Sequence, residues 1–328
     1  MKRIYDAILY SHSKIAKVAI LLLVAVMAII PLVVTQSYYL HVLILCMIYA
    51  CITSAWNLIA GYAGVFNFGF QALFGSGAYI SALLSLNFNL SPWLTIWIGA
   101  LAAMCIGAVV AIPSLKLKQL PYICIATMCL GEIVRLVAAN FTSVTRGEMG
   151  LTSIPGLFQD GNRVSYYYVM LVLFIIVLCV VMLIVNSPLG MSLSAMKGSQ
   201  EASESLGINV PGTKVKIYMI GAFIAGVIGG FYAHYLCILT PTSVLSSTLM
   251  TSYVAMSLIG GIGTIVGPVI GSFVVTIGLE VLRTLEDYRM IIYALLIIVT
   301  IIFLREGIWG AGKNWLLAKA ERYCSKRK

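Results

Sequence analysis

Ten stretches of about 20 mostly apolar residues run through this chain, and no other feature restricts its fold so severely. A helix of about 20 such residues crosses the ~30 Å hydrocarbon core of a bilayer. The stretches fall at residues 15–34, 38–59, 64–86, 93–112, 120–138, 165–185, 217–236, 246–262, 266–282 and 290–304. In lipid the backbone polar groups must be satisfied within the segment, so each stretch predicts a helix. The fold class is therefore an all-α polytopic membrane protein of about ten transmembrane helices, with residues 1–328 as one membrane domain. Hydrophobic residues make up 61% of the 328 and charged residues 10%. A soluble domain carries about a quarter charged residues, so a soluble catalytic domain is excluded. The first stretch follows basic residues as a signal peptide would, but it is longer than an ordinary h-region and no A-x-A site follows it. An uncleaved anchor is expected.

The net charge of +10 takes its meaning from where the charges lie. Sixteen of the 21 Lys and Arg sit in the arm at residues 1–14 and just beyond, the loop after the fourth span, the interval 186–216 and the tail 305–328. With ten crossings these all share one face. Arg146, Arg163, Arg283 and Arg289 fall on the other face, and Arg135 lies within the fifth span. The positive-inside rule then puts both termini in the cytoplasm. The basic excess orients a membrane protein and leaves no reason to expect nucleic acid as a partner.

Two polar intervals break the apolar pattern. Residues 139–164 are expected outside and residues 186–216 inside. In the inner interval, Ser199 can N-cap a short helix with Glu201 in its first turn, and Gly207 stands where a left-handed C-cap would end it. Ala202, Ser205 and Leu206 share a face at i, i+3, i+4 spacing, small enough to seat in a groove. Two turns are too short to be stable alone in water, so the helix must be propped by the membrane domain or a partner.

Within the spans, Gly61, Gly64, Gly69, Gly75 and Gly77 crowd the third stretch, each costing a helix about 1 kcal/mol relative to Ala. They argue either for tight helix packing or for a broken, pathway-lining segment, where Asn57, Asn67 and Gln71 would supply polar partners. Gly226 and Gly230, like Gly263, Gly267 and Gly271, have the small-residue spacing of close helix contacts. Glu132 and Arg135 are opposite charges at i, i+3 in the outer half of the fifth span. They fit a structural ion pair or a role in guiding a zwitterion.

The eight cysteines lie mostly in apolar runs without zinc spacing, and the three histidines near helix ends or in the arm, so no metal site is expected. Gly307 to Asn314 imitates P-loop spacing, but Asn314 replaces the magnesium-binding Ser or Thr and the run follows a membrane span rather than a strand. The basic segment after it is expected to lie on anionic membrane lipid.

Glu201-Ala202-Ser203 followed by Gly207 resembles the EAA loop of ABC importer permeases, with Ser203 in place of the second alanine. More of the chain carries a second likeness: NLIAGYAGVFNFGFQALFGSGAYISALL from Asn57, IATMCLGEIVRLVAANFTSVTRGEMGLTSIPG from Ile125 and SLIGGIGTIVGPVIGSFV from Ser257. These resemble the permease subunits of branched-chain amino acid ABC importers of the LivM type. The resemblance implies a type II importer fold of ten helices in a bacterial cell membrane. It also implies four sets of partners: a homologous permease, two ATPase subunits that bind the ATP, an extracytoplasmic substrate-binding protein and lipid. The permease itself then has no catalytic residue and no cofactor. Glu201, Ala202, Ser203, Leu206 and Gly207 would couple to the ATPase, and Asn57, Gly61, Asn67, Gln71, Gly75, Glu132 and Arg135 would line or pack the pathway. Asn67 and Gln71 stand where the family commonly has Ser and His. Urea, a short amide or another small solute is the alternative cargo. An ion-coupled secondary transporter is a further alternative, which would ordinarily have acidic residues near mid-membrane, and none is central in any span here. Lys197 lies off the coupling helix, and its replacement by alanine is expected to act mildly.

Overall fold

A computed structural model describes residues 27–31, 36–117, 119–158, 161–285, 291–292, 294–295, 298 and 307–310. Among them the chain is all helical apart from one isolated bridge. Most of the expected first and tenth spans, the N-terminal arm and most of the basic tail lie outside the described residues. Six helices are long and apolar enough to cross a membrane, and an apolar helix of 15 residues, Gly267–Val281, accompanies them.

The long apolar runs become helices close to where they were expected. We label them α1 (Ser37–Asn57), α2 (Phe70–Phe88), α3 (Pro92–Lys116), α4 (Leu120–Asn140), α5 (Arg163–Val185), α6 (Pro188–Gly198), α7 (Gln200–Ser205), α8 (Val210–Leu236), α9 (Ser247–Gly260) and α10 (Gly267–Val281). Proline in the first turn opens α3, α4, α6, α8 and α10, where its missing N–H costs nothing. Two boundaries depart from expectation. The third stretch is helical only from Phe70, because residues 63–69 leave the helical path. And α8 starts at Val210 rather than 217, because Asn209 Oδ1 accepts the Gly212 N–H at 2.9 Å and caps it.

α8 and α1 form the centre, with α2 and α3 against α8 and with α5 and α10 against α1. Small residues set how closely the axes approach. A Cβ on Gly77 of α2 would collide with the backbone of Gly226 in α8, and one on Gly226 would stand 2.7 Å from Ala100 Cα in α3. Three helices thus meet backbone to backbone, the arrangement expected where lipid supplies no hydrophobic drive between helices. Exposed side chains such as Trp97 and Leu101 on α3 and Ile125 and Val137 on α4 leave those faces apolar, as a bilayer requires.

The loop between α4 and α5 is fastened to α8. Leu151 and Leu239 exchange backbone hydrogen bonds of 2.8 Å, and the Ile154 N–H donates to Cys237 O at 3.2 Å. His234, fully buried, donates from Nδ1 to Pro155 O at 2.7 Å, which leaves Nε2 to accept from Ser81 Oγ at 2.9 Å. The Tyr166 hydroxyl accepts the Leu157 N–H at 2.9 Å and donates to His234 O at 3.3 Å. His234 is thus a structural tie for the loop between α4 and α5, its ring nitrogens both occupied.

Candidate functional site

Two clusters gather the residues that the sequence singles out. The first is the break between α1 and α2. α1 ends in a π-turn, Leu58–Tyr62, and residues 63–69 then run irregularly to Phe70, with Gly64 at φ +69°. Irregular backbone at membrane depth survives only when protein satisfies its polar groups. Trp56 Nε1 donates to Asn67 O at 2.8 Å, and Asn67 Oδ1 accepts the Gly69 N–H at 2.8 Å. α4 supplies the wall: Thr127 Oγ1 accepts the Phe68 N–H at 3.1 Å, and a Cβ on Gly69 would collide with Thr127 O. The segment is thus both broken and closely packed, at Gly64 and Gly69.

Asn57, one turn before the break, is buried and clamps a distant turn. Its Nδ2 donates to Thr264 O at 2.8 Å while its Oδ1 accepts the Gly263 N–H at 2.8 Å. Residues 261–266, between α9 and α10, are a true turn, with Gly261 at φ +124° and Gly263 at φ +79°. Gly61 lies against this clamp: a Cβ there would collide with Asn57 Oδ1 and stand 2.6 Å from the Gly263 nitrogen. Gly75 packs on Leu245 after the Pro241–Val244 turn, away from the break.

Gln71 and Asn67 stand differently. Both are fully buried, and neither polar atom of Gln71 nor the Nδ2 of Asn67 has a hydrogen-bond partner among the described residues. Gln71 Nε2 faces Gly131 of α4, where a Cβ would come to 2.8 Å. A buried unpaired polar atom costs about 1–3 kcal/mol, so the break holds unspent hydrogen-bonding capacity beside α4. Farther out on α4, Arg135 Nε donates to Glu132 Oε1 at 2.7 Å. These two charges neutralise each other and are about a quarter and two fifths exposed, 24% and 38% by side chain.

The second cluster is the elbow at residues 199–207. Ser199 Oγ accepts the Ala202 N–H at 3.2 Å, and its carbonyl accepts Ser203 Oγ at 2.8 Å. Gly207 takes φ +84°, its N–H donating to Glu204 O at 2.9 Å while that of Ile208 returns to Ser203 O at 3.0 Å. Ser203 is buried, whereas Glu201, Ala202 and Leu206 are exposed, Leu206 to 81%. An apolar side chain that open on a capped two-turn helix forms a free face. The elbow is propped from behind by buried Lys214 of α8, whose Nζ donates to Ser114 O of α3 at 2.8 Å and to Gln200 Oε1 at 3.0 Å. A cleft of about 410 Å³ lies between elbow and membrane domain, lined by residues that include Gly64, Glu201, Glu204 and Lys214.

Lys197, at the end of α6 and off the coupling helix as expected, makes a contact that the sequence did not show: its Nζ donates to Gly61 O at 2.8 Å, reaching the break. No local pattern marks such a contact, since 136 residues separate the partners. Among the described residues no group of three or more His, Cys, Asp or Glu could hold a metal ion.

Residues 38–301 match the family model described as branched-chain amino acid transport system / permease component. The chain is 26% identical over 291 residues to the high-affinity branched-chain amino acid transport system permease protein LivM of Escherichia coli, covering 80% of this chain and 68% of that one. It is 25% identical to LivM of Salmonella typhimurium over the same shares. To LivH of Escherichia coli it is 22% identical, across 80% of this chain and 91% of that protein. No solved structure matches. These relatives are transport permeases, not enzymes, and the six membrane-length helices among the described residues support a multi-pass membrane protein. The chain belongs to the branched-chain amino acid transport permease family and is a permease subunit of an ABC importer.

Proposed function

We propose that this permease pairs with a homologous permease, has two ATPase subunits seated on its cytoplasmic face and imports a small aliphatic amino acid delivered by an extracytoplasmic binding protein. The match over residues 38–301 carries the substrate class. The ATP is bound by the partner subunits and the permease needs no cofactor. Glu201, Ala202, Ser203, Leu206 and Gly207 are the coupling element, and the exposed face beside Leu206 supports that role. The break at residues 57–71, with Glu132 and Arg135 farther out, borders the pathway. The unpaired amide of Gln71 supports a second cargo, urea or a short amide, whose N–H and C=O groups would complement it.

The test is uptake into vesicles that carry the permease with its genomic neighbours. ATP inside, with binding protein outside, should drive accumulation of labelled leucine, isoleucine or valine, and an imposed ion gradient alone should not. Uptake driven by the gradient would replace the reading with a secondary transporter, and uptake of urea alone would replace the cargo.

We further propose ten spans of the type II importer arrangement in the bacterial cell membrane, with both termini in the cytoplasm, from the one-sided placement of Lys and Arg. Single cysteines at Ser153 and Ser205, in a cysteine-free background, check the orientation. Ser205 is used because Ser199 caps α7. In sealed cells an impermeant maleimide should label position 153 and not 205, and the reverse pattern would invert the topology.

A further inference from the structure

We infer that Lys197 is a positioning residue that links the elbow to the break, so that movement of the docked elbow pulls on the end of α1. The inference rests on the coupling role proposed for residues 201–207. Three observations converge on this side chain. Its Nζ donates to Gly61 O at 2.8 Å, a carbonyl in the last turn of the helix that runs from Ser37 to Tyr62. The final carbonyls of a helix have no partner within it and carry the negative end of its dipole, which a cation satisfies and a neutral group satisfies less well.

The stem of Lys197 crosses Gly64, where a Cβ would come within 3.2 Å of Cγ, in a notch that exists only because Gly64 is bare. Its Nζ also lies over the turn that Asn57 clamps, 3.3 Å from where a Cβ on Gly263 would stand. One side chain thus binds the end of α1, passes the irregular segment and lies beside the turn between α9 and α10. The backbone separates it from the N-cap of α7 by a single residue, Gly198. The elbow's other tie, Lys214 to Gln200, reaches α3 and α8 and leaves the break alone. Lys197 is the elbow's polar link to the break among the described residues.

The side chain is exposed along part of its length, so it can be removed and rebuilt chemically. Lys197→Cys in a cysteine-free background, assembled with its partner subunits in vesicles, should keep basal ATP hydrolysis and lose about tenfold in solute imported per ATP hydrolysed. Aminoethylation of that cysteine restores an ammonium at nearly lysine length and should recover at least half the loss, whereas ethylation with a neutral reagent should recover none. Equal recovery by both reagents, or an unchanged ratio in Lys197→Cys, would overturn the inference. Should Lys197→Cys not assemble, the same comparison is made between Lys197→Gln, expected to lose the ratio, and Lys197→Arg, expected to keep it. Ala202→Trp in the same preparation separates the two levels. If it uncouples transport while Lys197→Cys does not, the docking role stands and the link fails. If it transports normally, the docking role itself fails.

Discussion

Gly207→Val and Ala202→Trp should each lower uptake roughly tenfold or more and abolish the stimulation of ATP hydrolysis by loaded binding protein, with the permease still inserted. The two substitutions act by different physics. At Gly207 nothing lies within 4 Å of a would-be Cβ, so no clash is involved. The whole effect is backbone: φ is +84°, a conformation that costs an L-residue ~1–2 kcal/mol and a β-branched one more. That cost is enough to shift a two-turn helix away from its docked geometry by roughly an order of magnitude. Gly207→Asn, which tolerates the left-handed region, should retain most of the activity. Ala202 is exposed on the free face, so tryptophan there leaves the permease's own packing intact and acts only on what docks. Wild-type uptake by both variants at normal expression would make the elbow an ordinary loop. Loss in Gly207→Asn equal to that in Gly207→Val would show that the glycine serves something other than its backbone conformation.

How much of this was legible in the sequence depends on whether a signal is local. The apolar runs that became α1, α3, α4, α5 and α9 were placed to within a few residues because hydropathy and bilayer thickness constrain them directly. The elbow was legible to the residue: Ser199 as cap, Glu201 in the first turn and Gly207 as terminator are all local capping chemistry. Seven residues of α8 were read as loop because Lys214 and Lys216 looked like solvent-facing charge. Lys214 is instead buried by virtue of two distant partners, Ser114 O and Gln200 Oε1. Glycine density signalled trouble in the third stretch without revealing that helix begins only at Phe70, since the break is held by Thr127 of another helix. His234 drew no structural role from the sequence, because its ties to Ser81 and Pro155 are tertiary and left no trace in spacing. The positions most tied to function were therefore partly visible, as residue types, while their connections were not.

The clamp at Asn57 gives the second large effect, and the form of the effect is diagnostic. Asn57→Ala removes both hydrogen bonds at once and strands the Gly263 N–H and the Thr264 carbonyl in a half-buried turn. A fully buried group left unpaired costs about 1–3 kcal/mol and a half-buried one less, so the loss of both should destabilise by roughly 1–4 kcal/mol. Gly61→Ala should be comparably harmful for the opposite reason, because its Cβ needs space already held by Asn57 Oδ1 and lies 2.6 Å from the Gly263 nitrogen. Overpacking of this kind costs typically 1–3 kcal/mol. The two losses share part of their cause, since the Gly61→Ala methyl collides with Asn57 Oδ1, which Asn57→Ala deletes, while the Gly263 nitrogen stays. The double variant should therefore be less destabilised than the sum of the singles, by about 1 kcal/mol or more, as expected for residues in contact. Unfolding in detergent micelles, followed by tryptophan fluorescence across a denaturant series, measures all four corners of the cycle. Strict additivity would mean that the turn between α9 and α10 is seated by something other than this clamp.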